Sequence, residues 1–194
     1  MEEAEVEGQI EGQVRESELD EEAQARRRLA LSQIRQFPDT ALRLRANEVG
    51  EFDDDLRRLA ARMQVLMQEA SGVGLAATQV GVLRRLFVFQ PGDEEPQAVV
   101  NPVIVEQSDE LETDEEGCLS LGPVRVPVER HVAVTLAGQD VDGAELQLEL
   151  EGLSARVVQH ELDHLEGTLI IDLTTPEARR EAMAVLRPKP VLVG

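Results

Sequence analysis

The spacing of apolar residues changes partway along this chain. In "EFDDDLRRLAARMQVLMQEASG" Leu56, Leu59, Met63, Leu66 and Met67 recur at three- and four-residue steps, which predicts an amphipathic helix. Acidic residues crowd its start, where the helix dipole favours them, and Gly72 ends it. From there to about residue 150 the signals are strand-like. "RRLFVFQ", "QAVVNPVIVEQ" and "HVAVTLAG" are short β-branched or aromatic runs, the last with His131 at its start. "AGQDVDGAELQLELEG" predicts a hairpin that turns at Asp142-Gly143 before Leu146, Leu148 and Leu150 alternate. A second helix is expected over about Leu153 to Leu165, then a strand-like "TLIID", then a final helix from near Pro176 that stops before Pro188. A helix, a run of antiparallel strands and a late buried helix predict an α+β domain, because strands and helices do not alternate.

The start of the chain lacks such a pattern. "MEEAEVEGQIEGQVRESELDEEAQARRR" is acid-rich with few bulky apolar residues, a composition that cannot build its own core. Residues 1–31 are therefore expected to be a mobile or marginally helical acidic extension and residues 32–194 the folded domain, with a turn at Phe37-Pro38-Asp39. The acidity argues against a mitochondrial transit peptide.

Composition narrows the function. A chain of 194 residues at 42% hydrophobic can bury one core. Its net charge of −20 argues against coating nucleic acid or an anionic membrane, and no apolar run approaches membrane-spanning length. Only the end reverses sign, where Arg179, Arg180, Arg187 and Lys189 outnumber Glu177 and Glu181. Cys118 is the single cysteine, which rules out a disulfide scaffold and points to a reducing cytoplasm.

The candidate chemistry begins at "VVQHELDHLEG". On a helix, His160 and His164 share one face with Glu161 beside them, the H-E-x-x-H arrangement that binds a metal and places a carboxylate near its water. Two of the chain's three histidines fall at this spacing. The third ligand is open on the residues alone. A distal histidine fails, because that position is Ile170. Glu181 on the last helix would make a metallopeptidase. His131 sits in a polar context that suits an exposed strand end, and Cys118 in "DEEGCLSLGP" would give a thiolate and two imidazoles with a fourth position open to water. A third stretch, "GVGLAATQVG", leaves little side-chain volume around Gln79, as a site needs when backbone must approach a ligand. A metal-binding module without catalysis is the remaining class, but it would need neither Glu161 nor Gln79.

Together "GVGLAATQ", "EGCLS" and "HELDH", in that order, resemble the three motifs of the peptide deformylase family, and the likeness covers about residues 32–187. The resemblance implies a strand-rich α+β fold wrapped around the metal-binding helix, with a C-terminal helix. It implies Cys118, His160 and His164 as metal ligands, ferrous iron as the cellular metal with zinc, nickel or cobalt as substitutes, and Glu161 as general base. The side-chain amide of Gln79 and the backbone N–H of Leu119 would face the oxyanion. The implied reaction is removal of the N-formyl group from the initiator methionine of nascent polypeptides, releasing formate, in the cytoplasm. An extended peptide would pair with backbone near Val73, Gly74 and Gly117, its methionine against Leu153 and Val157 and its backbone near Arg125. The chain departs from the family pattern at Gly122 before Pro123 and at Asp114, both expected at the pocket rim. The basic C-terminal segment would allow a ribosome contact.

Overall fold

The computed structural model describes residues 20–187. A five-stranded antiparallel sheet runs in the order β1-β2-β3-β6-β7: Gly74–Ala76 (β1), Leu86–Phe89 (β2), Gln97–Gln107 (β3), Ala133–Gln139 (β6) and Glu145–Glu151 (β7). A separate hairpin pairs Leu111–Gly117 (β4) with Arg125–His131 (β5). Five helices flank them: Glu21–Leu31 (α1), Asp54–Glu69 (α2), Gly152–Leu165 (α3), Ile170–Leu173 (α4) and Pro176–Leu186 (α5).

Around β2 the sheet is covered on both faces. Its period of two sends Leu86 and Val88 to one side, where they meet Leu56, Ala60, Met63, Leu66 and Met67 of α2. Phe87 and Phe89 point to the other side and pack with Val99, Val134 and Leu136 against Ala155, Val158 and Leu165 of α3. Being buried on both faces, β2 carries an unbroken apolar run, "LFVF". On its other flank α3 meets β5, so the helix lies between the sheet and the separate hairpin. A third cluster beneath the hairpin joins Val126 and Val128 to Leu42, Leu121, Leu169, Ile170, Ile171 and Ala182. No helix among the described residues is long and apolar enough to cross a membrane.

The elements follow from local chemistry. Asp53 caps α2 by accepting from Leu56 N at 2.8 Å, with Asp54 and Asp55 in its first turn. Ser71 then turns with φ of 57°, and Gly72 N–H closes the helix on Met67 O at 2.9 Å. The β6–β7 hairpin turns at Asp142-Gly143, where Gly143 has φ of 87°. Thr175 caps α5 and Pro176 occupies its first turn.

Three expectations change. "TLIID" is not a strand: Ile170–Leu173 form the short helix α4, and Asp172 accepts from Leu169 N at 3.0 Å. A short apolar run has no periodicity to separate the two forms, and here all three of Leu169, Ile170 and Ile171 bury in one cluster with no strand to pair. His131 ends β5 and does not begin the following strand, because "RVPVERH" alternates Val126, Val128 and Arg130 inward. Within residues 1–31, expected to be mobile or marginally helical and apart from the folded domain, the structure places α1 against the core. Asp20 caps it through Ala23 N at 2.7 Å, and Ala30 and the following Ile34 bury against the α2 cluster. The rest of that segment, residues 1–19, lies outside the described residues.

Candidate metal centre and active site

The hairpin and α3 converge at one point. Cys118 leaves the end of β4, and its Sγ lies 3.2 Å from His164 Nε2. His164 Nε2 in turn lies 3.2 Å from His160 Nε2, one helical turn away. The three ligand atoms fall within 4.8 Å of one another. A tetrahedral cation bonded to two imidazoles and a thiolate would set such donors about 3.3–3.6 Å apart, so this donor set fits a metal of zinc or iron size. The two other ligands weighed from the sequence are not in this group. Glu181 is exposed on α5, and His131 Nδ1 contacts Ser108 O at 2.6 Å.

Glu161 stands beside the donors, 4% exposed, and its Oε2 has no hydrogen-bond partner among the described residues. Burial pushes its carboxyl up to about 7, against the opposing pull of His160. A carboxyl poised there can both take and return a proton near neutral pH.

Two small residues make the approach possible. A Cβ on Gly74 would run into the Glu161 carboxylate, and one on Gly72 would lie 2.8 Å from Leu119 Cδ1. Gln79 follows in a 3-10 turn, Ala77–Val80. Its Oε1 accepts from Ala76 N at 2.9 Å, which aims the amide NH2 at Ser120 Oγ (3.1 Å) and at the Cys118 thiol (3.7 Å). Thr78 Oγ1 donates to His164 O at 3.2 Å and ties this turn to α3.

A small pocket opens over these groups. Val73, Gly74, Gly117, Leu119, Leu153 and Val157 line it together with Gln79, Cys118, His160 and Glu161. Arg125 does not line it. That residue pairs with Gly117 in the hairpin and lies just outside. The two departures expected at the rim also lie off its wall: Asp114 is exposed on β4 and Gly122 is exposed in the loop after Cys118.

The sequence reading gave no role to the charges behind the histidines. Glu116, 3% exposed, accepts from His160 Nδ1 at 2.9 Å, from Arg130 at 2.8 and 3.0 Å, and from Arg156 at 3.0 Å. Burial alone would raise its carboxyl, but Arg130 and His160 outweigh burial and hold it well below the usual carboxylate range. An ionised Glu116 fixes the His160 tautomer, with the proton on Nδ1 and the lone pair on Nε2 facing the other donors. A signal for this existed in "RVPVERH": Arg130 occupies the inward register of Val126 and Val128, where a charge demands a partner.

Comparison with known proteins decides the family. The family model described as polypeptide deformylase matches residues 31–180. The chain belongs to that family. It is 43% identical over 162 residues to peptide deformylase 1 of Corynebacterium glutamicum, covering 82% of this chain and 96% of that relative. It is 49% identical over 146 residues to peptide deformylase of Thermotoga neapolitana, covering 75% and 88%. Among solved structures, peptide deformylase of Legionella pneumophila superposes with a TM-score of 0.75 at 39% identity, over 79% of this chain and 91% of that one. The Thermotoga maritima deformylase superposes with a TM-score of 0.71 at 47% identity, over 74% and 97%. The α+β deformylase fold and the hydrolase class expected from the three motifs are those of this chain.

Proposed function

We propose that in this peptide deformylase, which removes the N-formyl group from nascent polypeptides, Cys118, His160 and His164 hold the metal and Glu161 moves the protons. The observation that carries the assignment is the meeting of one thiol and two imidazole nitrogens within 4.8 Å, beside a buried carboxylate with an unpartnered oxygen.

Cys118, His160 and His164 would hold a divalent metal, which when bound would lower the pKa of a water so that it could lose its proton near neutral pH. Glu161 accepts a proton from the attacking water as the water oxygen bonds to the formyl carbon, and returns it to the amine nitrogen as the carbon–nitrogen bond breaks, so formate and a free amino terminus leave. The amide NH2 of Gln79 and the backbone N–H of Leu119 donate to the formyl oxygen as it gains charge. The anchoring of Gln79 Oε1 on Ala76 N supports this role, because it leaves only the donor end facing the cavity. Val73, Gly74 and Gly117 offer backbone to an extended peptide, and Leu153 and Val157 form the apolar wall for its methionine. Arg125, paired with Gly117 in the hairpin, would meet the peptide further along.

Ferrous iron is the metal we assign in the cell. Two imidazoles and a thiolate also suit zinc, nickel or cobalt, so metal analysis of anaerobically purified protein separates them. We place the enzyme in the cytoplasm, where a lone thiol ligand stays reduced. A ribosome contact would fall to Arg187 and to Arg180, both exposed, the latter held only by a solvent-exposed pair with Glu177, whereas Arg179 bonds Ile171 O and Asp172. Lys189 lies outside the described residues. Because Ala182 of α5 is buried in the core, charge reversal at Arg180 and Arg187 tests the contact better than deletion. Unchanged co-sedimentation with ribosomes removes it.

The decisive experiment is formate release from formyl-Met-Ala by anaerobically purified protein, with Glu161→Ala as control. Turnover that survives in the Glu161→Ala protein would overturn the assignment of roles.

A further inference from the structure

The ligand atoms come from two separately built bodies. Cys118 belongs to the β4–β5 hairpin, whereas His160 and His164 ride on α3, and Cys118 and His164 are 46 positions apart in the chain. Something must hold the hairpin against the helix closely enough for three bonds to one ion.

Arg130 spans that joint. Its Nε and Nη2 donate to Glu116 Oε1 and Oε2 at 2.8 and 3.0 Å, and its Nη1 donates to Asp163 Oδ2 at 2.6 Å. Glu116 lies on β4 two residues before Cys118, and Asp163 lies on α3 directly before His164. One guanidinium thus grips a carboxylate from each body, and each carboxylate is within two residues of a ligand. The arginine side chain is 7% exposed and that of Glu116 4%, so little water competes for the grip on β4, while Asp163, at 28%, holds its end partly open to solvent. The planar fork of an arginine suits this double grip, which the single point charge of a lysine cannot reproduce.

Building on the metal-site reading above, we propose that Arg130 is a positioning residue for the metal centre, setting the distance between the Cys118 thiol and the two imidazoles. Arg156 does not duplicate it. Arg156 joins α3 to Glu116, Val128 O and Glu112 O one helical turn before His160, so it secures the other end of the joint. With Arg156 in place, loss of Arg130 leaves the hairpin docked and loosens the end that carries His164.

The test is anaerobic titration of Co2+ into metal-stripped full-length protein, following its visible spectrum, alongside steady-state kinetics with formyl-Met-Ala. Arg130→Met is expected to weaken Co2+ binding about tenfold or more and to alter the thiolate-to-cobalt band. Its kcat should fall while KM stays within about twofold, and Arg130→Lys should recover part of the affinity. If Arg130→Met only lowers the melting temperature and binds Co2+ with wild-type affinity and spectrum, the proposal is wrong. Should that variant fail to fold, Asp163→Asn cuts only the grip on α3 and is expected to weaken Co2+ about threefold. An unchanged affinity there also overturns the idea. Cys118→Ser separates the two layers of inference: if it keeps full Co2+ binding, the metal-site reading itself fails. If it loses binding while the Arg130 and Asp163 variants do not, only the positioning role fails.

Discussion

Gly74 and the carboxylate of Glu161 occupy adjoining space so completely that a single Cβ on Gly74 would collide with the carboxylate and approach Val157 Cγ1 to 2.9 Å. The glycine on β1 is therefore a condition for the carboxylate on α3 to lie where it does. Gly74→Ala is expected to fold, because this glycine has no left-handed φ to lose, yet to displace Glu161. Misplacing a reacting group by about an ångström costs about a hundredfold in rate. Deformylation should fall by about that factor with Co2+ binding unchanged. Activity within about twofold of wild type would show that the collision is relieved elsewhere.

Glu161→Gln keeps the shape of the side chain and removes its capacity to accept and return a proton. Because Glu161 is not among the three clustered ligand atoms, the variant is expected to bind Co2+ as the wild type does. Formate release should drop by about two to four orders of magnitude. Loss of metal together with activity would recast Glu161 as a ligand.

Gln79 allows a cleaner separation of binding from catalysis. In Gln79→Glu the carboxylate still accepts from Ala76 N, so the turn is kept, but the donors facing the cavity are replaced by a negative oxygen. An oxyanion forming there would be repelled, and kcat should fall by about a hundredfold or more while KM for formyl-Met-Ala changes little. A rise in KM with kcat preserved would make Gln79 a ground-state contact instead.

How far the sequence discloses this molecule depends on whether a feature is local. The period of three and four in α2, the Asp142-Gly143 turn and the Pro176 start of α5 are set by neighbours within one turn, and each stands where the pattern predicts. β4 escaped because "LETDEEG" is almost wholly solvated; only Glu116 and Gly117 are buried, so no alternation shows. α4 escaped because its apolar residues are too few to reveal a period. The histidine pair was legible from spacing, whereas Cys118 stands out as third ligand only through the resemblance of "EGCLS" to a family motif; its meeting with the pair across 46 positions depends on folding of the hairpin onto α3. The same long-range docking hid the role of Arg130.

Asp172 offers a test by pH away from the metal centre. It joins three parts of the third cluster: Arg43 from the segment before α2, Arg179 from α5 at 3.0 Å, and its own helix through Leu169 N at 3.0 Å. Partial burial would raise its carboxyl, but Arg43 and the Leu169 N–H outweigh that and hold it below the ordinary value of 3.8. A carboxyl whose folded value is depressed binds protons more readily in the unfolded chain. Its stabilising contribution is therefore complete above the unfolded value and is lost as pH falls through the folded one. Asp172→Asn should melt lower than the wild type by a constant interval from neutral pH down to about pH 5. That interval should shrink below 3.8 and close once the wild-type carboxyl is itself protonated. Both proteins are compared metal-stripped, so that acid release of the ion does not enter the difference. An interval that widens in acid would mean that Asp172 stabilises the fold through something other than its charge.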